Sequence, residues 1–158
     1  MSGLERTITE IDNRDQGAVD KLAHFITEYL FSKPSPEKLS TVRSTIWSPS
    51  SHSFTAFAGD QLAGVAVLIG SLDKRGMSYL GYIVTHPDFR GQGVGGSLLD
   101  AIEASSQVLG ATGIEVDAFS TAADFFKSRG YIGVSSVERS SFSIQHLERY
   151  LLPAAIEA

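Results

Sequence analysis

The sequence has no cysteine, no excess of positive charge and no long apolar run. Without cysteine, the protein forms neither disulfides nor thiolate metal sites, and it has no cysteine nucleophile. Its 18 Asp and Glu residues outnumber its 13 Lys and Arg residues, which gives a formal net charge of −5. Because nucleic acids and membrane surfaces bind basic patches, we expect neither of them as a partner.

The longest apolar run, at residues 62–69, is far too short to cross a bilayer. Residues 1–12 are polar and lack the apolar centre of a signal peptide. Hydrophobic residues make up 42% of the chain and charged residues 20%, a balance typical of globular proteins. The length of 158 residues is that of one ordinary domain. We therefore expect a single domain over residues 1–158, located in the cytoplasm.

The first half of the chain predicts a strand, two helices and an antiparallel meander. Residues 6–11 alternate and are rich in β-branched side chains, which is typical of a strand. Apolar residues then recur at helical spacing, interrupted by Pro34 and Pro36, so we expect two helices, the second ending near Trp47. Three strands follow, the first two joined by a tight turn at Gly59-Asp60, at residues 54–58, 61–69 and 77–85.

The second half predicts alternating helices and strands. A single apolar stripe indicates a helix that begins near Val94 and closes near Gly110. A strand, a helix and two strands are expected after it, at residues 114–118, 121–129, 131–137 and 139–144. Residues 146–156 predict one or two helical turns. The predicted fold is thus a single α/β domain whose mixed sheet combines an N-terminal antiparallel meander with a β-α-β-α-β-β half, flanked by helices.

A glycine-rich loop lies between the meander and the helix that begins near Val94. Four glycines fall within the six residues of Gly91-Gln92-Gly93-Val94-Gly95-Gly96. Glycine lets backbone N–H groups approach a ligand without a Cβ in the way, and a helix N-terminus offers unpaired N–H donors and a partial positive charge. With Arg90 at its edge, the loop suits a phosphate or a pyrophosphate.

Three other interpretations of the loop compete. A connection without a ligand would carry the entropic cost of four ordered glycines for no gain. A P-loop requires Gly-x-x-x-x-Gly-Lys followed by Ser or Thr, which is absent. A dinucleotide site matches Gly91-x-Gly93-x-x-Gly96, with Asp117 about twenty residues further on. However, the loop follows an antiparallel meander, and its first glycine does not directly follow the strand.

Two motifs resemble those of the GNAT acetyltransferases. Arg90-x-x-Gly93-x-Gly95, after a strand ending in Ile83-Val84-Thr85, is similar to the family's Gln/Arg-x-x-Gly-x-Gly/Ala motif. Residues 122–131, AADFFKSRGY, are similar to the family's Asn-x-x-Ala-x-x-Phe-Tyr-x-x-x-Gly-Phe. The motifs occur in the family's order, and the order of predicted elements is similar over nearly the whole chain.

The resemblance implies that the cosubstrate is acetyl-CoA. The end of the strand would pair with the pantetheine arm, the loop would bind the pyrophosphate, and Lys127 or Arg129 would lie near the outer phosphate. The expected cofactor-binding residues are Ile83, Val84, Thr85, Arg90, Gly91, Gln92, Gly93, Val94, Gly95, Gly96, Ser97, Phe126 and Lys127. No metal is expected, because the histidines show no metal-ligand spacing.

The sequence departs from the family's pattern at the catalytic positions. The tyrosine that can protonate the leaving thiolate falls on Phe126, which has no proton to give. The family's asparagine falls on Phe119 or Ser120, and the glutamate that some members use as a base matches Tyr79. The base is therefore Glu115, Asp117, His86 or a water. The expected catalytic residues are Glu115, Tyr79 and His86.

Two functions fit these observations. The first is an N-acetyltransferase that transfers the acetyl group directly to a primary amine of a small molecule or a peptide, with backbone N–H groups stabilising the oxyanion. The second, motivated by Phe126 and by the missing glutamate, is a non-catalytic acyl-CoA-binding or sensor domain. A homodimer is left open.

Overall fold

The computed structural model describes residues 6–151, which form a mixed seven-stranded sheet with helices on both faces. The first half contributes β1 (Arg6–Glu10), α1 (Gln16–Leu30), α2 (Pro36–Trp47), β2 (Ser51–Ala58), β3 (Gln61–Ile69) and β4 (Met77–Thr85). After a short 3-10 turn, the second half contributes α3 (Val94–Val108), β5 (Gly113–Phe119), α4 (Ser120–Lys127), β6 (Ile132–Glu138) and β7 (Ser143–Tyr150). The predicted fold class is confirmed. Within the described residues, no helix is both long and apolar enough to span a membrane.

The sheet consists of two antiparallel halves joined by one parallel pair. Its strand order is β1-β2-β3-β4-β5-β7-β6. All neighbours are antiparallel except β4 and β5. Because a parallel pair needs a crossover connection, the chain returns from the end of β4 to the start of β5 through the glycine-rich loop and α3.

Side-chain caps and a proline fix where the two N-terminal helices begin. The Asp15 carboxylate accepts the backbone N–H of Ala18 at 3.1 Å, which caps α1. The Ser35 hydroxyl accepts the N–H of Lys38 at 3.1 Å, and Pro36 takes the first helical position of α2. Both helices pack their apolar sides on the face of the sheet formed by β3 and β4.

The C-terminal strand differs from its prediction. The sequence predicts a strand at residues 139–144 and helical turns at 146–156, but the strand begins only at Ser143 and continues to Tyr150. The helical prediction is therefore wrong as far as Tyr150, and residues 152–156 lie outside the described part of the chain. The physical reason is a period of two: Leu147 is buried in the core, whereas its neighbours His146 and Glu148 lie beside carboxylates of β5.

The two halves of the sheet are joined at only three register positions. Met77, Ser78 and Tyr79 of β4 pair with Gly113, Ile114 and Glu115 of β5. Just beyond, the register of β4 with β3 shifts, which leaves Gly81 as a bulge. After Tyr79, no further residues of the described strands β4 and β5 pair with each other. A cleft therefore opens between the carboxyl ends of these two strands.

A glycine in β3 lets α3 lie close to the sheet at the edge of this cleft. A Cβ added at Gly64 would lie 2.8 Å from Val94 Cγ1, 2.9 Å from Leu98 Cδ1 and 3.1 Å from the carbonyl oxygen of Val84. Val94 and Leu98 are buried under the first turns of α3. Any larger residue at position 64 must push α3 away from the end of β4.

We expect Gly64→Val to destabilise the protein by about 1–3 kcal/mol, the usual effect of overpacking a core. The control is Gly17→Val in α1, because the nearest heavy atom to an added Cβ there lies 3.5 Å away. Urea unfolding of both variants and of the wild type measures the difference. Equal free energies of unfolding for the two variants would show that α3 does not depend on this close approach.

Candidate active site

A cavity of about 500 Å³ lies at the carboxyl end of β4, between α1, the glycine-rich loop and α4. Its wall combines apolar side chains with the first turn of α3, and its lining residues are Tyr29, Leu30, Ile83, Val84, Thr85, Arg90, Gly95, Thr121, Ala122, Phe125 and Phe126. The edge of β4 that faces this space lies beyond its last pair with β5. Backbone polar groups and an apolar wall therefore meet in one cavity.

The loop before α3 is held in conformations that glycine adopts freely. Gly91 has a φ of 76° and Gly93 a φ of 83°, both in the left-handed region. Gly93 is the N-cap of α3, and its carbonyl accepts the N–H of Ser97 at 3.0 Å. The three N–H groups before that bond have no carbonyl partner within α3; they belong to Val94, Gly95 and Gly96. The positive end of the helix dipole lies at the same place.

The predicted cofactor residues divide into a cavity wall and a loop. The cavity is lined by Ile83, Val84, Thr85, Arg90, Gly95 and Phe126. The loop and the first turn of α3 contain Gly91, Gln92, Gly93, Val94, Gly96 and Ser97. The Val94 side chain is only 2% exposed and packs in the core, so Val94 offers its backbone alone. The Ser97 N–H is engaged within the helix.

Of the two cations in the second motif, Arg129 lies at the loop and Lys127 points elsewhere. The Arg129 guanidinium carbon is 5.7 Å from the centre of the Phe125 ring, and its Nη1 donates to the Gly96 carbonyl at 3.5 Å. Lys127 instead approaches β6, where its Cε is 3.7 Å from a Cβ added at Gly133. A guanidinium thus lies beside the N-terminus of α3, where its Nη1 also lies 3.3 Å from Asp100 Oδ1.

A second cavity, of about 120 Å³, lies where β4 and β5 diverge. It shares Leu30, Ile83, Ala122 and Phe126 with the larger cavity. Its remaining wall includes Gly81 and Tyr82 at the bulge of β4, together with Asp117 and Phe119 of β5. Among its lining residues, Asp117 is the one that carries a charge. The two cavities meet at Phe126, and Asp117 is among the residues that line the inner one.

Strands β4, β5 and β7 bring polar side chains together beside this inner cavity. The Tyr79 hydroxyl donates to Asp117 Oδ2 at 2.7 Å, and Asp117 Oδ1 lies 2.8 Å from His146 Nδ1. His146 Nε2 lies 3.0 Å from Glu148 Oε2 and 3.3 Å from Glu115 Oε1. Both imidazole nitrogens therefore face carboxylates, which accept but do not donate when ionised.

Arg75, in the turn between β3 and β4, closes this network on the far side. Its guanidinium donates to both Glu148 oxygens, at 3.1 and 2.8 Å, and also to Glu115. Ligand atoms of Glu115, His146 and Glu148 lie within 4.8 Å of one another, the spacing of a metal site. Because Arg75 already supplies a cation there, we assign the cluster as an ion-pair network. The absence of a metal from the reaction stays a prediction.

Burial and neighbouring charges move the pKa values of this network in different directions. Burial is the main reason that the pKa of Tyr79 lies well above its usual value, so its phenol remains a neutral donor. Burial and the neighbouring Asp73 raise the pKa of Glu115. The hydrogen bonds from Arg75 lower the pKa of Glu148. The carboxylates therefore differ in the pH at which they ionise.

The structure brings two of the three predicted catalytic residues together. Tyr79 and Glu115 both belong to the network beside the inner cavity. His86 lies at the end of β4, with its ring centre 4.7 Å from that of Tyr29. Its Nδ1 accepts the backbone N–H of Asp88 at 3.0 Å, so the ring proton of the neutral form lies on Nε2.

Sequence reasoning missed Arg75, His146 and Glu148. Arg75 and Glu148 are 73 positions apart in the chain, and their contact follows only from the sheet topology. One signal was present: charged His146 and Glu148 flank apolar Leu147, which is the period of a half-buried strand. That alternation would have placed both side chains on one face of a strand.

Replacing His146 should lower stability most at acidic pH. Burial alone lowers the pKa of His146, but the hydrogen bonds to Asp117 and Glu148 outweigh it and leave the pKa above its usual value. A raised pKa gives stability that is complete below about pH 6.5 and is lost as the pH rises through the folded-state value. We therefore expect His146→Gln to be more destabilising near pH 6 than near pH 9, as urea unfolding would measure. His24→Gln, outside the network, is the control, and a loss that grows with pH would contradict this assignment.

Comparison with known proteins gives a family for this arrangement. The profile of the acetyltransferase (GNAT) domain matches residues 12–148. No curated protein sequence gives a significant match.

Among solved structures, similar folds include an aminoglycoside 6′-N-acetyltransferase complexed with coenzyme A, at 14% identity and a TM-score of 0.79, covering 95% of this chain and 99% of that one. The ribosomal-protein-S18-alanine N-acetyltransferase from Escherichia coli has 17% identity and a TM-score of 0.76, and the match covers 96% of this chain and 97% of that one. The NatC complex bound to Gag peptide and CoA contains a chain with 16% identity and a TM-score of 0.77, and the match covers 94% of this chain and 100% of that one.

At these identities the structural likeness shows the fold alone, whereas the profile extends over most of the chain. The glycine-rich loop at the N-terminus of α3, the cleft between β4 and β5 and the profile match agree with one another. The chain belongs to the GNAT acetyltransferase family.

Proposed function

We propose that the protein is an N-acetyltransferase that transfers the acetyl group of acetyl-CoA directly to a primary amine. The observation that carries this proposal is the first turn of α3, whose first N–H groups have no partner within the helix and whose Gly95 lines the cavity at the end of β4. An anion-binding helix end beside an apolar cavity suits a ligand with a pyrophosphate at one end and an uncharged arm at the other.

In this proposal the pyrophosphate lies on the backbone of residues 91–96, with Arg90 at its edge. The pantetheine arm runs along the end of β4 and pairs with the backbone of Ile83, Val84 and Thr85. Two features support that position: this stretch of β4 lies beyond its pairing with β5, and all three residues line the cavity of about 500 Å³. Phe126 would form the wall beside the thioester, since it borders both cavities.

Arg129 brings a guanidinium to the edge of the loop, where Asp100 partly balances its charge. Its guanidinium lies beside Gly96 at the first turn of α3 and over the Phe125 ring. This position suits a further phosphate of the cosubstrate, because a guanidinium binds phosphate oxygens through two parallel N–H donors. Lys127, which the family resemblance also implicates, stays a prediction.

The acceptor is proposed only as an amine. Structures of the same fold carry the names of enzymes for an aminoglycoside and for the alanine of a ribosomal protein, and a third holds a peptide. Small-molecule and peptide amines therefore both belong in a substrate test. The cytoplasmic location and a homodimer stay predictions.

Acetyl-CoA should raise the melting temperature, because a ligand that binds only the native state stabilises it by mass action. NAD and NADP should not raise it. The thiol released from acetyl-CoA is then measured with kanamycin, with a hexapeptide that begins with alanine and with 1,4-diaminobutane. Release with any of these amines supports the enzyme, whereas tight acetyl-CoA binding without turnover supports the sensor domain. A shift with NAD and none with acetyl-CoA would contradict both.

Gly95→Val should weaken acetyl-CoA binding by at least about 10-fold while the fold is retained. A Cβ at Gly95 would lie 3.4 Å from the Phe125 ring and 3.7 Å from Thr85 Oγ1, so the protein tolerates it, but a branched side chain would enter the cavity. Each 10-fold change in affinity corresponds to about 1.4 kcal/mol. Titration calorimetry with acetyl-CoA measures the effect.

Gly17→Val is the matched control, because Gly17 is the second residue of α1 as Gly95 is the second residue of α3. Its affinity for acetyl-CoA should equal that of the wild type. If Gly95→Val also binds acetyl-CoA with wild-type affinity, the cosubstrate lies elsewhere.

A further inference from the structure

The inner cavity defines where an acceptor amine can meet the cosubstrate. It lies between the diverging strands and joins the larger cavity at Ile83 and Phe126. A thioester at the end of the pantetheine arm would reach this junction from the side of α4. Asp117 is the charged residue that lines the inner cavity.

The carboxylate of Asp117 is fixed by one donor at each oxygen. Tyr79 of β4 donates to Oδ2 at 2.7 Å, and His146 Nδ1 of β7 lies 2.8 Å from Oδ1. A carboxylate has about four lone-pair sites, so each oxygen can accept one more hydrogen bond. The Asp117 side chain is 42% exposed, which lets it exchange a proton with water.

We propose that Asp117 removes the proton from the ammonium form of the acceptor, and that His146 positions its carboxylate for this step. This inference rests on the proposed acetyltransferase function. The ammonium proton passes to Asp117, and the neutral nitrogen attacks the thioester carbonyl carbon. The C–N bond forms, the C–S bond breaks, and the second nitrogen proton goes to the departing thiolate. Asp117 then releases its proton to water, so one acetyl-CoA and one ammonium give one amide, one CoA thiol and one proton.

The other candidates are less suited to this step. Glu115 already binds Arg75 and faces His146, and it does not line the inner cavity. Tyr79 is a neutral donor, because its hydrogen bond to Asp117 uses its proton. His86 accepts a backbone N–H through Nδ1 and lies among aromatic rings at the end of β4.

His146 acts through Asp117 in this account and is a positioning residue. Its Nδ1 faces Asp117, while its Nε2 is anchored between Glu148 and Glu115. The contacts of Nε2 with Glu148 and Glu115 fix the orientation of the imidazole ring. The ring orientation in turn fixes the position of Asp117 Oδ1, which Nδ1 faces.

The decisive experiment follows Asp117→Asn across pH. The assay uses the wild type and the member of the three-amine panel that it acetylates fastest. Near pH 7 we expect kcat/KM to fall by about 100-fold or more, the usual effect of removing a general base. As the pH approaches the pKa of the amine, about 8 for a peptide and about 10 for an alkylamine, the deficit should shrink, because the free amine needs no base.

The pH trend and the split between kcat and KM together separate a base from other roles. A carboxylate that only holds the ammonium also loses its advantage once the ammonium titrates, but its removal raises KM for the amine and leaves kcat unchanged, whereas removal of a base lowers kcat. The groups that face Asp117 are Tyr79 from β4 and His146 from β7, with Glu115, Glu148 and Arg75 behind them. Because these groups are present in both the wild type and Asp117→Asn, the ratio of their two pH profiles of kcat/KM reports the effect of Asp117 alone. A deficit below about 3-fold at pH 7, one that persists unchanged at high pH, or one confined to KM for the amine overturns the proposal.

Two controls keep the result interpretable. Asp60→Asn, in the exposed hairpin turn between β2 and β3, should retain wild-type turnover, and acetyl-CoA affinity should be unchanged in Asp117→Asn.

If Asp117→Asn does not fold, Asp117→Ala with added formate replaces it: restored turnover supports the base, and turnover that formate leaves unchanged overturns the proposal. If the wild type acetylates none of the three amines, the proposed function fails first, and this outcome is distinct from a failed base.

The positioning role is tested by a pair of His146 variants. His146→Asn keeps an amide N–H close to the place of Nδ1, whereas His146→Ala removes the donor. We expect kcat to fall by about 10-fold in the alanine variant and to recover at least partly in the asparagine variant, with KM for acetyl-CoA unchanged in both. Equal kcat values in the two variants, or a change confined to KM, would contradict positioning through Nδ1.

Discussion

The divergence of β4 from β5 is the constraint on which the candidate active site depends. These parallel strands pair at three positions, from Met77↔Gly113 to Tyr79↔Glu115, and then separate. Continued pairing would close the sheet and would occupy the polar edge of β4 with a neighbouring strand. Separation leaves that edge available to a ligand and creates the two cavities between the halves of the sheet. The bulge at Gly81 lies at the point where the strands part.

Contacts on both faces of the sheet connect the elements that border the cleft. On one face, Gly64 allows α3 to pack directly on β3, which sets the helix N-terminus beside the end of β4. On the other face, Arg75 binds Glu115 and Glu148, so the turn before β4 is tied to β5 and β7. The proposed anion binding by the loop and the proposed proton transfer at Asp117 both need these contacts, because catalytic groups lose effect when displaced by about 1 Å.

Local signals in the sequence were sufficient for most of the fold. Strand β4 has the predicted bounds, Met77–Thr85, since a turn precedes it and Pro87 follows it. Helix α3 begins at Val94 as predicted, because the glycines before it are incompatible with earlier helical turns. The sequence predicts helical turns in residues 146–156, where strand β7 forms as far as Tyr150. Pairing with β5 decided the outcome, and such pairing is not visible in the local pattern.

The candidate site, like the fold, has one part that local sequence signals predict and one part that depends on contacts between distant segments. The glycine-rich loop is contiguous in sequence, and its glycines alone are enough to predict an anion site there. The network around Asp117 assembles side chains from three strands and a turn, and only the strand order brings His146 to Asp117. Arg129 shows the intermediate case: its motif was recognised, but its place beside Gly96 depends on how α4 packs against α3.

Hydrogen exchange measured by mass spectrometry, with and without acetyl-CoA, tests the central claim most directly. If the cosubstrate binds in the cleft, the amides of residues 81–85 and 91–97 exchange more slowly in its presence, while those of the distant edge strand β6 do not change. Unchanged exchange in both segments, or protection confined to another surface, such as the groove that Ile8, Phe54 and Ala101 line between β1, β2 and α3, would contradict the assignment of the cleft as the acetyl-CoA site.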